Sequence, residues 1–324
     1  MELTVGVSKN LQTTEIALFK FTIIVEDRLI LPAFKGSTLR GGFGEVLRKT
    51  VCSTNKATCE DCIAEDICSY KLIFEGKLGE GRGPFRLSDP PRPFVFEPMD
   101  TKKQVFQKDE VLSFQLNLVG EAIRLFPLFL ITFTRLGQEG IGKGRHHYRI
   151  ENIEFTPTTL DMDKLHWQAI PKGNSWLKEV DWTCNFLDKL PSKVKILNLI
   201  LQTPLRIKVE GKLVDTLHFS TLMSSVIRRI TLLGQLYSGL SPEVDYRSPM
   251  KAASEVELIK KELTWWDWER YSSRQDSRMK LGGIVGAVTY LGDLDLFLPW
   301  LALAQYLHVG KGATFGLGKI KIEW

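Results

Sequence analysis

Two copies of one pattern, 168 positions apart (310 − 142), constrain this chain of 324 residues more than its composition does. Gly142-Lys143-Gly144 follows an apolar run, IRLFPLFLITFTRL, and Gly310-Lys311-Gly312 follows another, LDLFLPWLALAQYL. Each triplet precedes a segment that alternates like a strand. In the second copy Ile320, Ile322 and Trp324 fall on one face, with Lys319, Lys321 and Glu323 on the other. Helix, glycine loop and strand therefore recur in order, which implies two copies of one structural unit.

The flanking segments extend the match. In the first half Glu15–Glu26 reads as a strand, Ser37 caps a helix reaching Lys49, and Glu110–Val119 is a strand ahead of the apolar helix. In the second half Pro204–Glu210 reads as a strand and Leu217–Leu236 as an amphipathic helix. Trp265–Tyr271 and Leu281–Leu291 are the strands that follow. Each half runs β-α-β-β-α-β, the order of a ferredoxin-like module. The expected fold is α+β: two tandem ferredoxin-like domains at 1–156 and 201–324, with a cysteine-rich insert in the first. Residues 157–200 form the connection, with extra helix.

Hydrophobic residues make up 44% and charged residues 25%, enough for two packed cores and too balanced for disorder or collagen. A net charge of +5 is compatible with a polyanionic partner without identifying one. The longest apolar runs, Leu125–Phe133 and Leu294–Leu307, fall short of the ~18 to 20 residues a spanning helix needs, and Asp295 and Gln305 interrupt the second. The opening MELTVGVSKNLQTTE lacks a basic region followed by an apolar core, so no secretory signal is expected. These features point to a cytoplasmic protein with no membrane partner.

Four of the five cysteines crowd together as Cys52-x6-Cys59-x2-Cys62-x5-Cys68. In a reducing compartment such a cluster reads as metal ligation before disulfides. The Cys59-x2-Cys62 knuckle suits tetrahedral thiolate coordination, and Cys52 and Cys68 complete four ligands. A structural zinc is expected, ahead of an iron–sulfur cluster or of reduced thiols alone. Four thiolates leave no open position for chemistry, which disfavours a metalloenzyme. Cys184 lies apart from the cluster.

The glycine triplets invite a phosphate-binding reading. A Walker loop needs Gly-Lys-Ser/Thr between a strand and a helix, so that amides at the helix start meet the phosphate. Here the order is helix, loop, strand, which excludes a nucleotide hydrolase of that class. A glycine backbone flanked by Lys143, Arg145, Lys311 and Lys319 can instead press on a sugar-phosphate chain. The alternative is a glycine turn with solvated lysines. The segment WWDWERYSSRQ sets Trp265, Trp266, Trp268, Arg270, Tyr271 and Arg274 together, a composition that suits stacking on single-stranded RNA. Strand alternation is expected to bury about half of these rings.

The stretch RYSSRQDSRMKLGGIVGAVTYLGDLDLFLPWLALAQYLHVGKGATFGLGKIKI resembles the C-terminal part of CRISPR repeat-RNA endoribonucleases of the RAMP superfamily. LPAFKGSTLRGGFGEVLRKTVC, with the downstream cysteines and YKLIFEG, resembles one branch of the same family. The resemblance implies an RNA-binding cleft between tandem ferredoxin-like domains and metal-independent cleavage of CRISPR repeat RNA. In that reaction a 2′-hydroxyl attacks the adjacent phosphate, leaving a 2′,3′-cyclic phosphate and a 5′-hydroxyl. A CRISPR effector complex is an implied partner for the processed RNA. The RNA-binding set is expected to include Lys143, Arg145, His146, Tyr271, Arg274, Gly310, Lys311, Gly312 and Lys319.

The chemistry needs a base for the 2′-hydroxyl, an acid for the leaving 5′-oxygen and cations for the phosphorane, with no cofactor. Family members often carry a histidine on or near the first helix. This chain departs from that habit: Leu31–Val51 offers Lys35, Arg40, Arg48 and Lys49 instead. His308, at the end of the last helix, is the candidate acid, because a helix C-terminus favours the protonated imidazole. Its alternative role is a helix cap. Lys35 and Arg40 open the first helix, where amide donors already favour phosphate. The departure keeps a second reading open, a non-catalytic RNA-binding RAMP subunit of an effector complex.

Overall fold

The computed structural model describes residues 11–54, 59, 62–64, 67–76, 90–98, 102–171, 173, 175–240, 247–267, 269–272 and 277–324. They divide into two compact units. One holds Thr14–Cys184 with Leu232–Gly239; the other holds Asn185–Thr231 and Leu240–Trp324, with the residues up to Thr13.

The first unit contains β1 (Ile16–Val25), β2 (Leu29–Ile30), α1 (Gly36–Val51), β3 (Phe94–Pro98), β4 (Val105–Phe106) and β5 (Val111–Val119). It continues with α2 (Glu121–Arg124), α3 (Phe126–Glu139), β6 (Tyr148–Pro157) and β7 (Gln168–Ala169). Five strands form an antiparallel sheet in the order β3-β5-β1-β6-β7, while β2 and β4 pair separately. Alternation along β1 sends Phe19, Phe21 and Ile23 into the core. Phe19 stacks on Phe126 of α3 at 4.0 Å between ring centroids, and Phe43 of α1 stacks on Phe129 at 4.9 Å. The intervening Lys20 pairs with Glu154 of β6 at 2.6 Å. Gly44 lets α1 approach the segment behind it: a Cβ there would lie 2.2 Å from the Phe74 ring.

The second unit contains β8 (Ile196–Leu205), β9 (Lys208–Val209), β10 (Lys212–Leu213), α4 (Phe219–Tyr237) and α5 (Arg247–Ala253). It then has β11 (Glu257–Trp266), β12 (Glu269–Ser272), β13 (Ser277–Lys280), β14 (Gly283–Leu291), α6 (Leu298–Leu307) and β15 (Ile320–Glu323). The last six residues of α4 fall in the first unit. The main sheet runs β11-β14-β8-β15, and β9/β10 and β12/β13 are separate two-stranded ribbons. Every residue of α6 is buried, as its apolar sequence on all sides requires.

Both sheets have one topology. Numbered by place in β-α-β-β-α-β, the strands lie fourth-first-third-second, as β6-β1-β5-β3 and as β15-β8-β14-β11. The chain therefore holds tandem ferredoxin-like domains in an α+β fold.

Four local expectations change. The first strand of the second unit is Ile196–Leu205, not Pro204–Glu210. Leu197, Leu199 and Leu201 supply its inward alternation, whereas Pro204 lacks the N–H that a ladder uses. Ser37 lies inside α1, and Lys35 occupies the N-cap without a side-chain cap bond. The connection carries 3-10 turns at Met162–Lys164, Ser175–Lys178 and Asn185–Lys189 and, among its described residues, no α-helix. The strand expected at Trp265–Tyr271 is instead Glu257–Trp266, with a separate strand at Glu269–Ser272; on that first strand, an edge strand none of whose positions is buried, Trp265 and Trp266 are 45% and 40% exposed, while Trp268 and the Tyr271 side chain lie outside the described residues.

Candidate functional site

The second glycine loop is built from backbone hydrogen bonds. Val309 N–H donates to Gly318 O at 2.9 Å and Gly318 N–H to Pro204 O at 3.0 Å. Lys311 N–H donates to Arg206 O at 2.8 Å. The Thr203 hydroxyl donates to Gly316 O and accepts from Lys319 N–H, both at 2.8 Å. These bonds stitch the loop to the end of β8. Gly318 has φ +70°, and a Cβ there would lie 1.8 Å from Val309 O, so only glycine closes the turn.

His308 caps α6 and begins this loop. It is 1% exposed, and its Nδ1 lies 3.2 Å from Leu317 O. Its backbone, at φ 58° and ψ 168°, occupies a region that glycine tolerates and side-chain-bearing residues visit at a cost of about 1–3 kcal/mol. Arg229 Nε donates to Leu307 O at 2.9 Å and completes the helix end. Strain and burial at one residue mark the helix-to-loop junction as over-determined by its surroundings.

Beside the loop, Arg206 Nη1 donates to Gly282 O at 2.6 Å. Burial pulls the Arg206 pKa below its ordinary value, against the attraction of Asp267. Asp267 in turn accepts from Trp265 Nε1 at 2.9 Å. Lys311 projects from the loop exposed, with no carboxylate paired to it among the described residues. A guanidinium, an exposed indole and an ammonium with no carboxylate partner among the described residues thus gather in one unit, a combination suited to a sugar-phosphate chain with unstacked bases.

The first glycine loop is a tight turn closed by Ile141 and His146, which exchange backbone bonds of 2.8 and 3.0 Å. Its Arg145 reaches Glu45 of α1 at 3.2 Å. Glu45 also accepts from Lys49 at 2.9 Å, Lys49 bonds Glu139 of α3 at 3.1 Å, and Arg135 bonds Glu139 at 2.7 Å. The Lys49 hydrogen bond, seconded by Arg145, holds the Glu45 carboxyl below its usual range; Lys49 does the same for Glu139, with Arg135. Lys143 is exposed, and His146 and His147 are half-buried.

At the start of α1, Lys35 is 1% exposed with its ammonium 5.8 Å from the Phe106 ring centroid. Arg40 lies half-buried with its guanidinium 4.2 Å above Phe74. Of the expected residues, Gly310, Lys311, Gly312, Lys319 and His308 come together in one loop, and Lys143, Arg145 and His146 in the other. Lys35 and Arg40 belong with the latter unit. Tyr271 stands in β12, and Arg274 lies outside the described residues. Arg206, Thr203 and Asp267 escaped the sequence reading. Placing a strand start at Pro204 hid Arg206 inside it, although an arginine directly after an apolar strand was the available signal.

Residues 199–320 match the family described as CRISPR-associated endoribonuclease Cas6. Residues 13–177, just over half of the chain, match the AF_1859_N family, described as an N-terminal domain. An uncharacterized protein of Archaeoglobus fulgidus is 27% identical over 299 residues, covering 90% of this chain and 93% of the relative. Among solved structures, a Cas6 product complex superposes with a TM-score of 0.56 at 13% identity, covering 95% of this chain and 100% of that one. Thermus thermophilus Cas6 gives a TM-score of 0.53 at 11% identity, over 96% and 99% of the two chains.

Proposed function

We propose that this chain, which belongs to the AF_1859_N family and matches the CRISPR-associated endoribonuclease Cas6 family over residues 199–320, binds precursor CRISPR RNA and cleaves it within the repeats without a metal ion. The observation that carries the proposal is the second glycine loop: a backbone-stitched surface in the matched segment, presenting Lys311 beside Arg206 and Trp265. A rigid loop of this kind holds its donors in place before the phosphate arrives, which is how charge developing in a transition state is stabilised most effectively.

In the proposed reaction the O2′–P bond forms as the P–O5′ bond breaks. The 2′-hydroxyl proton leaves to a base, and the departing 5′-oxygen takes a proton from an acid. Arg40, seated over the Phe74 ring, is assigned to the phosphorane charge. Lys35 and His308 are both almost wholly buried, so each acts from behind the surface. Lys35 adds positive charge at the opening of α1, and His308, which sets the loop through Leu317, is assigned the proton that the departing 5′-oxygen takes.

The second reading, an RNA-binding subunit that does not cut, is favoured by the absence of any histidine in Leu31–Val51 together with the burial of His308. One assay separates the two. A labelled transcript carrying the repeat is incubated with the chain in excess EDTA, and the product ends are analysed. Cutting at one position, with a 2′,3′-cyclic phosphate, is expected. Tight binding without cutting selects the second reading, and a strict magnesium requirement refutes the mechanism.

A further inference from the structure

The segment after α1 gathers four thiols that the RNA site does not use. Cys52, Cys59, Cys62 and Cys68 all line one cavity of about 140 Å³. The Thr54 hydroxyl lies 3.8 Å from Cys52 Sγ and 3.7 Å from Cys62 Sγ, so one small group bridges two of the thiols. None of the four is disulfide-bonded, and each is half-buried. Four cysteines spread over the sequence from 52 to 68 thus line a single space.

We propose that Cys52, Cys59, Cys62 and Cys68 bind one divalent zinc ion as a closed tetrathiolate site. Such a site fixes the C-terminal end of α1 to the segment that carries Tyr70, Ile73 and Phe74. As the side chains stand, no three Cys, His, Asp or Glu residues among those described are gathered at coordination distance. Binding therefore draws the sulfurs inward to the ~2.3 Å typical of zinc–thiolate bonds. In the binding step each of the four thiols gives up its proton as its sulfur takes a place on the ion, so four protons leave for one zinc bound. Arg48 and Lys71, which also line the cavity, offset the net negative charge of a tetrathiolate site.

The site has a consequence for the RNA reading. Phe74, two residues past Leu72, is the ring beneath Arg40 and the one packed on Gly44. An ion at Cys68 anchors the start of that segment and so steadies the seat of Arg40.

The test uses the full chain purified without chelator. Elemental analysis is expected to give one zinc per chain. Titration of zinc-stripped, reduced protein with cobalt is expected to give the intense thiolate-to-cobalt charge-transfer band and tetrahedral ligand-field bands. Cys59→Ser with Cys62→Ser is expected to lose both signals and to lower the Tm by about 5 to 10 °C. Cys184→Ser, which removes the buried thiol outside the cluster, is expected to keep the ion. Three results overturn the proposal: a chain that purifies without zinc and takes up no cobalt, iron with sulfide in place of zinc, or a cobalt band that survives in the double variant. The cobalt titration needs no substitution, so a double variant that fails to fold leaves the proposal open to refutation.

Discussion

The two glycine loops share a Gly-Lys-Gly triplet and a place in the fold, yet they are held by different forces. The first is a short turn closed at Ile141 and His146 and tethered by the exposed Arg145–Glu45 pair. The second is longer and is stitched to the end of β8 through main-chain groups and Thr203. Duplication preserved the position of a loop without preserving how it is fixed. It also separated the charges: among the described residues Arg145 is engaged by a carboxylate, while Lys311 is not. A phosphate arriving at the second loop meets an uncommitted cation on a rigid frame, and at the first it must compete with Glu45.

The largest expected contrast concerns the glycines themselves. Gly318→Ala places a methyl 1.8 Å from Val309 O and is expected to cost about 3 kcal/mol or more. Gly142→Ala meets nothing closer than Ile30 O at 3.6 Å, so only the positive φ of +75° is penalised, at about 1–2 kcal/mol. Urea unfolding of both variants measures the difference. Equal losses would show that the second loop yields as easily as the first.

The next contrast is at His308. Because its backbone is in a region suited to glycine, His308→Gly relieves strain while removing the bond to Leu317 O. Stability is expected to stay within about 1 kcal/mol of the parent, since the two effects oppose. Single-turnover cleavage is expected to fall at least about tenfold. Cleavage at the parental rate would reduce His308 to a cap. A matching pair concerns RNA affinity. Lys311→Ala is expected to lower the slope of log affinity against log salt by ~0.7 to 1, the signature of one lost phosphate contact. Arg145→Ala is expected to change it by less, as its guanidinium is already neutralised. Filter binding over a range of salt concentrations ranks the two, and a larger effect at Arg145 would reverse the assignment.

Much of this was legible in the sequence because it depends on period. The triplets, the apolar runs ahead of them and the alternation in IKIE located both loops, α3, α6 and β15 without coordinates. The order β-α-β-β-α-β then fixed the fold class, and the topology of both sheets follows it. What escaped depends on contacts between distant residues. Arg206 becomes a site residue only because Lys311 N–H finds its carbonyl and Gly282 its guanidinium, 105 (311 − 206) and 76 positions away. The exposure of Trp265 depends on β11 lying at a sheet edge, which the alternation of β11 itself does not encode. The burial of Lys35 had no sequence signal either; lysine is rarely the residue that opens a helix from inside a core.

The smallest expected effect tests the ionic half of the comparison. Glu45 and Glu139 have folded pKa values below their ordinary ones, with Lys49 the first cause for each. A carboxyl with a depressed folded pKa contributes stability that is fully present above its unfolded pKa and is lost as pH falls through the folded value. The loss therefore falls on the acid side of the usual carboxylate range, and nothing is expected from these groups between neutral pH and that range. The pairs are solvent-exposed, so salt screens them and their worth is small. Among the described residues the second loop has no carboxylate tether: main-chain N–H and C=O groups and the Thr203 hydroxyl do not titrate in this window, and the His308 ring beside Leu317 O is almost wholly buried. Amide hydrogen exchange at low pH is thus expected to rise at Gly144–His146 before it rises at Val309–Gly318, and added salt at neutral pH should reproduce the order weakly. Glu45→Gln should remove most of the pH dependence at the first loop and leave the second unchanged. Simultaneous opening of both loops in acid would mean that they share one cooperative unit, and that the ion pairs around Glu45 hold nothing that the backbone does not already hold.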